Sequence, residues 1–153
     1  MKQYINEDLC IKCGGQCCKS VPGCMMPEDI KGNMLIKLVK IFKSKKYIPE
    51  YGYVTVGKGK NKREELVFFI RPITKTETFS LQPLESFGGE CIFLTLKGCK
   101  LKYENRPSGC KLLEPRKRGC KVHGANKNEA CWEWSKYSDI LVEAIRICLY
   151  PTF

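Results

Sequence analysis

The chain carries a single histidine, His123, among its 153 residues. That scarcity excludes a catalytic zinc site built on several imidazoles and any two-histidine dyad. No segment approaches the roughly 18 consecutive apolar residues that span a bilayer. The opening MKQYINEDLC lacks the apolar stretch a secretory signal places behind its basic residue. A cytoplasmic protein with no membrane partner is therefore expected. There is no glycine-rich dinucleotide fingerprint, no internal repeat and no disordered linker. One domain over residues 1–153 is expected, long enough to bury a core of its own.

What is abundant is sulfur. The 11 cysteines, about one residue in fourteen, far exceed ordinary usage. They fall into an early group (Cys10, Cys13, Cys17, Cys18, Cys24) and a late group (Cys91, Cys99, Cys110, Cys120, Cys131), with Cys148 apart. A disulfide framework is disfavoured by a reducing compartment, by the odd count and by the strain of bridging adjacent Cys17 and Cys18. A redox dithiol at Cys10 and Cys13 lacks the strand–helix setting of thioredoxin. Thiolates are soft ligands suited to zinc or iron–sulfur chemistry, and two cysteines separated by two residues can share one ion. Gly14 and Gly15, inside CIKCGGQCC, let the backbone turn sharply around such a centre.

Charge is the second excess. The formal net charge is +11, but metal-bound thiols lose their protons, and one or two four-thiolate sites would bring it to about +7 to +9. The basic runs KGKNKR and EPRKRGCK are short, and the late cysteine spacings match no common zinc finger. Nucleic acid is accordingly not the expected partner.

Periodicity predicts the elements. PEDIKGNMLIKLVKIFKSKK reads as a helix from Pro27, with Ile30, Met34, Leu38, Ile41 and Phe42 on its core stripe. YGYVTV and ELVFFIRPI flank GKGKNKRE as a hairpin with a basic tip, and TETFSL suggests a third extended piece. CIFLTLKGCKLKY predicts a short hairpin turning at Lys97 and Gly98, which brings Cys91 and Cys99 together. A helix beginning between Asn105 and Pro107 places Cys110 in or near its first turn, where backbone N–H groups favour a thiolate. PRKRGCKVHGANKN reads as a loop, with His123 solvated on it or serving as a late ligand. EACWEWSKYSDILVEAIRICLY reads as one amphipathic helix burying Ile140, Leu141, Ala144, Ile145 and Cys148. Trp132 and Trp134 either shield a sulfur site at Cys131 or simply pack. The expected architecture is a small single-domain α+β fold, with two to three helices and short antiparallel hairpins around a cysteine-ligated metal centre.

The pattern CIKCGGQCC, then PEDI, then CIFLTLKGCKLKYENRPSGCKLLEP resembles the YkgJ-type cysteine-cluster family, whose members are described as zinc- or iron-chelating. The resemblance covers about residues 10 to 115. It rests on Cys10, Cys13, Cys17, Cys18, Cys91, Phe93, Leu94, Gly98, Cys99, Tyr103, Arg106, Pro107, Cys110 and Pro115. One additional residue separates Cys13 from Cys17, and Lys111 stands where the family commonly has arginine. The resemblance implies metal ligation by Cys10, Cys13, Cys17, Cys18, Cys91, Cys99 and Cys110, with Cys131 or Cys120 completing the set as two neighbouring centres or one centre plus a reactive sulfur. It also implies a [4Fe–4S] cluster ahead of Zn2+, through a distant similarity to flagellin lysine methylase. Tyr103 and Arg106 would then tune the site from its surroundings.

Three functions follow as expectations. The first is a metal-binding module that carries or delivers a metal ion or cluster, with a protein client as a further partner. The second is an iron–sulfur group-transfer enzyme using S-adenosylmethionine, which rests on the family analogy. The third is a zinc-stabilised nucleic-acid-binding module.

Overall fold

Two alternating, β-branched and aromatic segments form the longest regular pairing, Tyr47–Val56 (β1) against Arg63–Pro72 (β2), antiparallel from Tyr47↔Pro72 to Val56↔Arg63. The computed structural model describes residues 3–20, 23–81, 89–117 and 119–150, without the side chains of residues 17 and 20. The hairpin's basic tip holds a short 3-10 turn, Gly59–Asn61. Burial alternates towards the tip, where Val54 and Val67 are covered between exposed or partly covered neighbours. It becomes continuous at the base, where Ile48, Pro49 and Glu50 of β1 and Phe69 to Pro72 of β2 are all buried, so the base of the hairpin is covered on both faces.

Three helices of nine residues or more cover this hairpin: Met34–Lys43, Lys127–Ser135 and Ser138–Leu149. In chain order they are α3, α5 and α6, preceded by Glu7–Cys13 (α1) and Gln16–Ser20 (α2), with the single turn Ser108–Lys111 as α4. Helix α3 packs on α6, and α5 lies across β2. Leu38, Phe42, Phe69, Trp134 and Leu141 sit at the centre of that core, and Ile30, Met34 and Ile41 pack against it from its rim. The remaining strands are short hairpins: Leu94–Thr95 (β3) with Gly98–Cys99 (β4), and Leu113–Arg116 (β5) with Gly119–Val122 (β6). The result is a small α+β fold. No helix among the described residues is long and apolar enough to cross a membrane.

Six local expectations need correction. Pro27 starts only a 3-10 turn, Pro27–Asp29; Gly32 at φ 89° interrupts it, and the helix begins after Asn33, whose side chain accepts from the Ile36 N–H. TETFSL forms no strand, because Glu77 folds inward to accept from the Thr74 N–H and the Arg71 guanidinium. The β3–β4 hairpin turns at Leu96 and Lys97, with Gly98 already paired to Thr95. The Thr95 hydroxyl fixes that turn, accepting from Lys97 N and donating to Gly98 O. PRKRGCKVHGANKN is in large part the β5–β6 hairpin, in which Leu113 pairs with Val122 and Cys120 with Pro115. The final helix is two, broken at Lys136 and Tyr137, where Ser135 and Ser138 hydroxyls bond back to the carbonyls of Trp132 and Ser135. In α6, Leu141, Ala144 and Ile145 are buried as predicted, while Ile140 lies at the surface.

Candidate functional site

The early cysteines are carried by a helix–turn–helix too short to bury anything by itself. Asn6 caps α1 by accepting from Leu9 N, and Glu7 and Asp8 suit its positive end. Gly14 and Gly15, at φ 71° and 70°, then reverse the chain into α2. No residue of α1 is buried.

This front segment is tied to the late cysteines by backbone contacts. Cys91 N donates to Cys18 O at 2.6 Å, and Gly109 N donates to Cys24 O at 2.9 Å. A Cβ at Gly109 would lie 2.4 Å from Cys24 N, and one at Gly23 would lie 2.6 Å from the Cys110 sulfur. Only glycine at both positions lets these chains meet. Asp29 adds a polar link, its carboxylate accepting from the N–H and hydroxyl of Ser108.

At this junction lies a cavity of about 60 Å³ walled by Cys10, Cys18, Cys99, Cys110, Cys120 and Arg106. Five cysteines thus come from α1, α2, β4, α4 and β6, with one long stretch of sequence between Cys18 and Cys99. Arg106, buried, donates from Nε to Leu101 O at 3.0 Å and pairs through Nη2 with Glu7 at 2.8 Å. Its charge is thus paired with Glu7, which lines the same cavity.

Burial pushes the Cys110 thiol well above its ordinary 9.0, and the neighbouring Cys18, Cys91 and Cys99 raise it further. The N-terminal-turn effect expected at Cys110 is thereby overridden; the opposing contribution is a backbone hydrogen bond from Gly23. Cys91, buried with Phe93 and Leu94 in a small second core, is likewise raised, mainly by burial. Tyr47, packed against Phe93, has its hydroxyl pushed up by burial and by Cys110, Cys91 and Cys99. Without a cation Cys110 and Cys91 favour the neutral thiol.

Cys131, expected among the ligands, lies elsewhere. It is buried in the main core with Cys24, below the fully buried Trp134, whose indole donates to Met25 O at 2.8 Å. Trp134 packs in the core, and Trp132 is 48% exposed. Burial, then Cys131 and Glu50, push the Cys24 thiol up to about 12, and burial pushes Cys131 up to about 11. Nearby, Arg71 holds two carboxylates, Glu50 at 2.6 Å and Glu77 at 2.7 Å, while the buried Glu50 Oε1 has no hydrogen-bond partner among the described residues.

Of the other predicted residues, Cys13 ends α1 half-buried, one turn beyond Cys10, and the side chain of Cys17 lies outside the described residues. Tyr103 sits on a 3-10 turn, Tyr103–Asn105, with Lys111 Nζ 5.8 Å from its ring centre. His123 stacks on Tyr4 and bonds to Glu114, an intramolecular role on the hairpin flank. Cys148 is half-buried, its thiol 3.7 Å from Val39 O. Sequence reasoning does not separate Cys120 from Cys131; the pairing of β5 with β6, which carries Cys120 to the cavity, is the missing information.

Among the described residues no three Cys, His, Asp or Glu side chains come close enough together to hold a metal ion. The cavity's residues nevertheless fit a soft metal in kind: five cysteines among apolar Ile5, Leu94, Leu113 and Pro115, with the Arg106–Glu7 pair in the wall and, among the described residues, no imidazole. No family model, curated protein or solved structure matches the chain.

Proposed function

We propose that this protein is a metal-binding cysteine-cluster protein that carries an iron–sulfur cluster or zinc, with Cys10, Cys18, Cys99 and Cys110 as principal ligands and Cys91 and Cys120 adjoining. The observation that carries the reading is the gathering of five thiols from separate elements around one cavity that also contains Arg106. The resemblance of CIKCGGQCC and the later block to the YkgJ-type family supports it, and brings in Cys13 and Cys17. So does the thinness of the surrounding core. Among the described residues, Cys91, Phe93 and Leu94 form the buried cluster there, with Cys18, Tyr47, Cys99 and Leu101 packed against it, and a unit with so little apolar burial needs a staple. A bound cation reverses the cost of ionising crowded thiols, so its binding energy becomes folding energy for this half of the chain.

The test is anaerobic purification followed by a visible spectrum and by iron, zinc and acid-labile sulfide assays. Iron with equimolar sulfide and a broad visible band identifies a cluster, and zinc without colour identifies a zinc site. Cys110→Ser and Cys99→Ser are expected to lose most of the metal, whereas Cys148→Ala keeps it. Protein that stays metal-free after reconstitution with either metal, or Cys110→Ser with full occupancy, would sink the proposal.

A further inference from the structure

Cys10 has two faces. On one side it walls the sulfur cavity; on the other it lines an open cleft of about 330 Å³ at the surface, with Ile11, Lys19, Lys75, Glu90 and Leu96. The cleft is formed where α1 leans on the β3–β4 hairpin: a Cβ at Gly98 would lie 3.7 Å from Ile11 Cγ1. Leu96, at the hairpin tip, is fully exposed, and Ile11 and nearby Leu9 and Ile92 are exposed as well. An apolar side chain held out at the tip of a two-residue turn contributes nothing to the fold.

We infer that this cleft is the docking site for an acidic partner protein, which inserts an apolar side chain between Leu96 and Ile11 and thereby comes to lie against Cys10. The inference rests on the metal reading above for its purpose, though not for its geometry. Charge selects the occupant. Lys19 and Lys75 line the cleft and Lys12 and Lys97 flank it on α1 and the hairpin turn; among the described residues of its wall the acidic one is Glu90, which pairs with Lys75 at 2.8 Å and leaves the Lys19 charge uncompensated there. A second copy of a chain with net charge +11 is repelled from such a face. Among the described residues of the cleft wall, nucleic acid finds no aromatic side chain on which to stack a base. An acidic rim around an apolar anchor satisfies both features, in the pattern of a small transient interface.

The probe is a displayed library of 12-residue peptides, selected on the whole wild-type protein. Peptides carrying Asp or Glu around a large apolar residue are expected to be enriched. Their affinity, measured by fluorescence anisotropy, is expected to fall at least about tenfold in Leu96→Asp and in Lys19→Glu, as loss of an anchor predicts. Both side chains are exposed, so folding is not at stake. Bound peptide should also slow alkylation of Cys10, read by mass spectrometry, and leave Cys148 unaffected. Failure to enrich such peptides, or equal binding by Leu96→Asp, overturns the inference. So does self-association abolished by Leu96→Asp, or an oligonucleotide that binds the cleft more tightly than the peptides. Metal content assayed on the same protein separates the two readings: peptide binding by a chain that never takes metal leaves the docking site and removes its proposed purpose.

Discussion

Single residues in this protein are governed by what burial does to charge. Cys24 keeps its proton to about pH 12 in the folded state, whereas an ordinary thiol loses it near 9.0. Between those values the unfolded chain has released a proton that the folded chain retains, so stability falls as pH rises. The stabilisation is complete below about pH 9 and declines by about 1.4 kcal/mol per pH unit for each such thiol. Urea midpoints of wild type and Cys24→Ala, compared from pH 8 to pH 11, should show the variant's slope shallower by about one thiol; parallel slopes would contradict the assignment. Arg71 presents the opposite case. Burial disfavours its charge, but hydrogen bonds from its guanidinium to Glu77 and Glu50 more than compensate. Arg71→Met leaves Glu50 buried without its cation, and a loss of about 3–5 kcal/mol is expected at pH 7. Glu50, already raised by burial against the pull of Arg71, takes up a proton more readily in that variant. Its unfolding defect should therefore shrink towards pH 5, where a pH-independent defect would point to packing alone.

At the scale of elements, the junction between front and rear segments depends on two glycines of different character from the rest. Gly109 meets backbone atoms of Cys24, whereas Gly119, at φ 91°, has nothing within 4 Å of a Cβ. Gly109→Ala should therefore cost about 1–3 kcal/mol through overlap, and Gly119→Ala about 1–2 kcal/mol through its left-handed backbone alone. In thermal denaturation the first should also loosen Cys110, read as faster alkylation of that thiol; the second should not. These contacts mark the limit of what the sequence discloses. The β1–β2 hairpin and the stripes of α3 and α6 are legible because periodicity is a local property of the chain. The break at Tyr137 is not, since it depends on serine hydroxyls choosing carbonyls over continued helix. The grouping of Cys91 with Cys99 follows from a local fold-back and is readable. The separation of Cys131 from Cys120 is a tertiary event: α5 turns Cys131 into the main core beside Cys24, while β6 brings Cys120 to the cavity. Arg106 is foreseeable as a neighbour of sulfur through its motif, but its pairing with Glu7, across the length of the chain, is not.

The whole molecule divides into two unequally supported halves. The hairpin β1–β2 with α3, α5 and α6 encloses a continuous apolar core from Leu38 to Ile145, and burial at about 25 cal/mol per Å² suffices to hold such a unit. Residues 7–20, 91–117 and 119–122 have little of that support; the early and late segments are joined by the Arg106–Glu7 pair and the Cys91–Cys18 backbone bond, and Asp29 and Cys24 tie the late segment to the main core. If thiol-bound metal supplies the missing cohesion, its removal should loosen one half and spare the other. Hydrogen exchange on metal-loaded and chelator-stripped protein is the measurement. Amides of α1, α2 and the β3–β4 and β5–β6 hairpins should lose protection on stripping, by up to the free energy of metal binding. Those of β1, β2, α3 and α6 should keep theirs, because local opening there requires breaking the apolar core. The Gly109 N–H, bonded to Cys24 O on the border between the halves, should exchange at an intermediate rate. Uniform loss across the molecule would mean that both halves unfold together, and no loss at all would mean that the sulfur-lined half stands without metal.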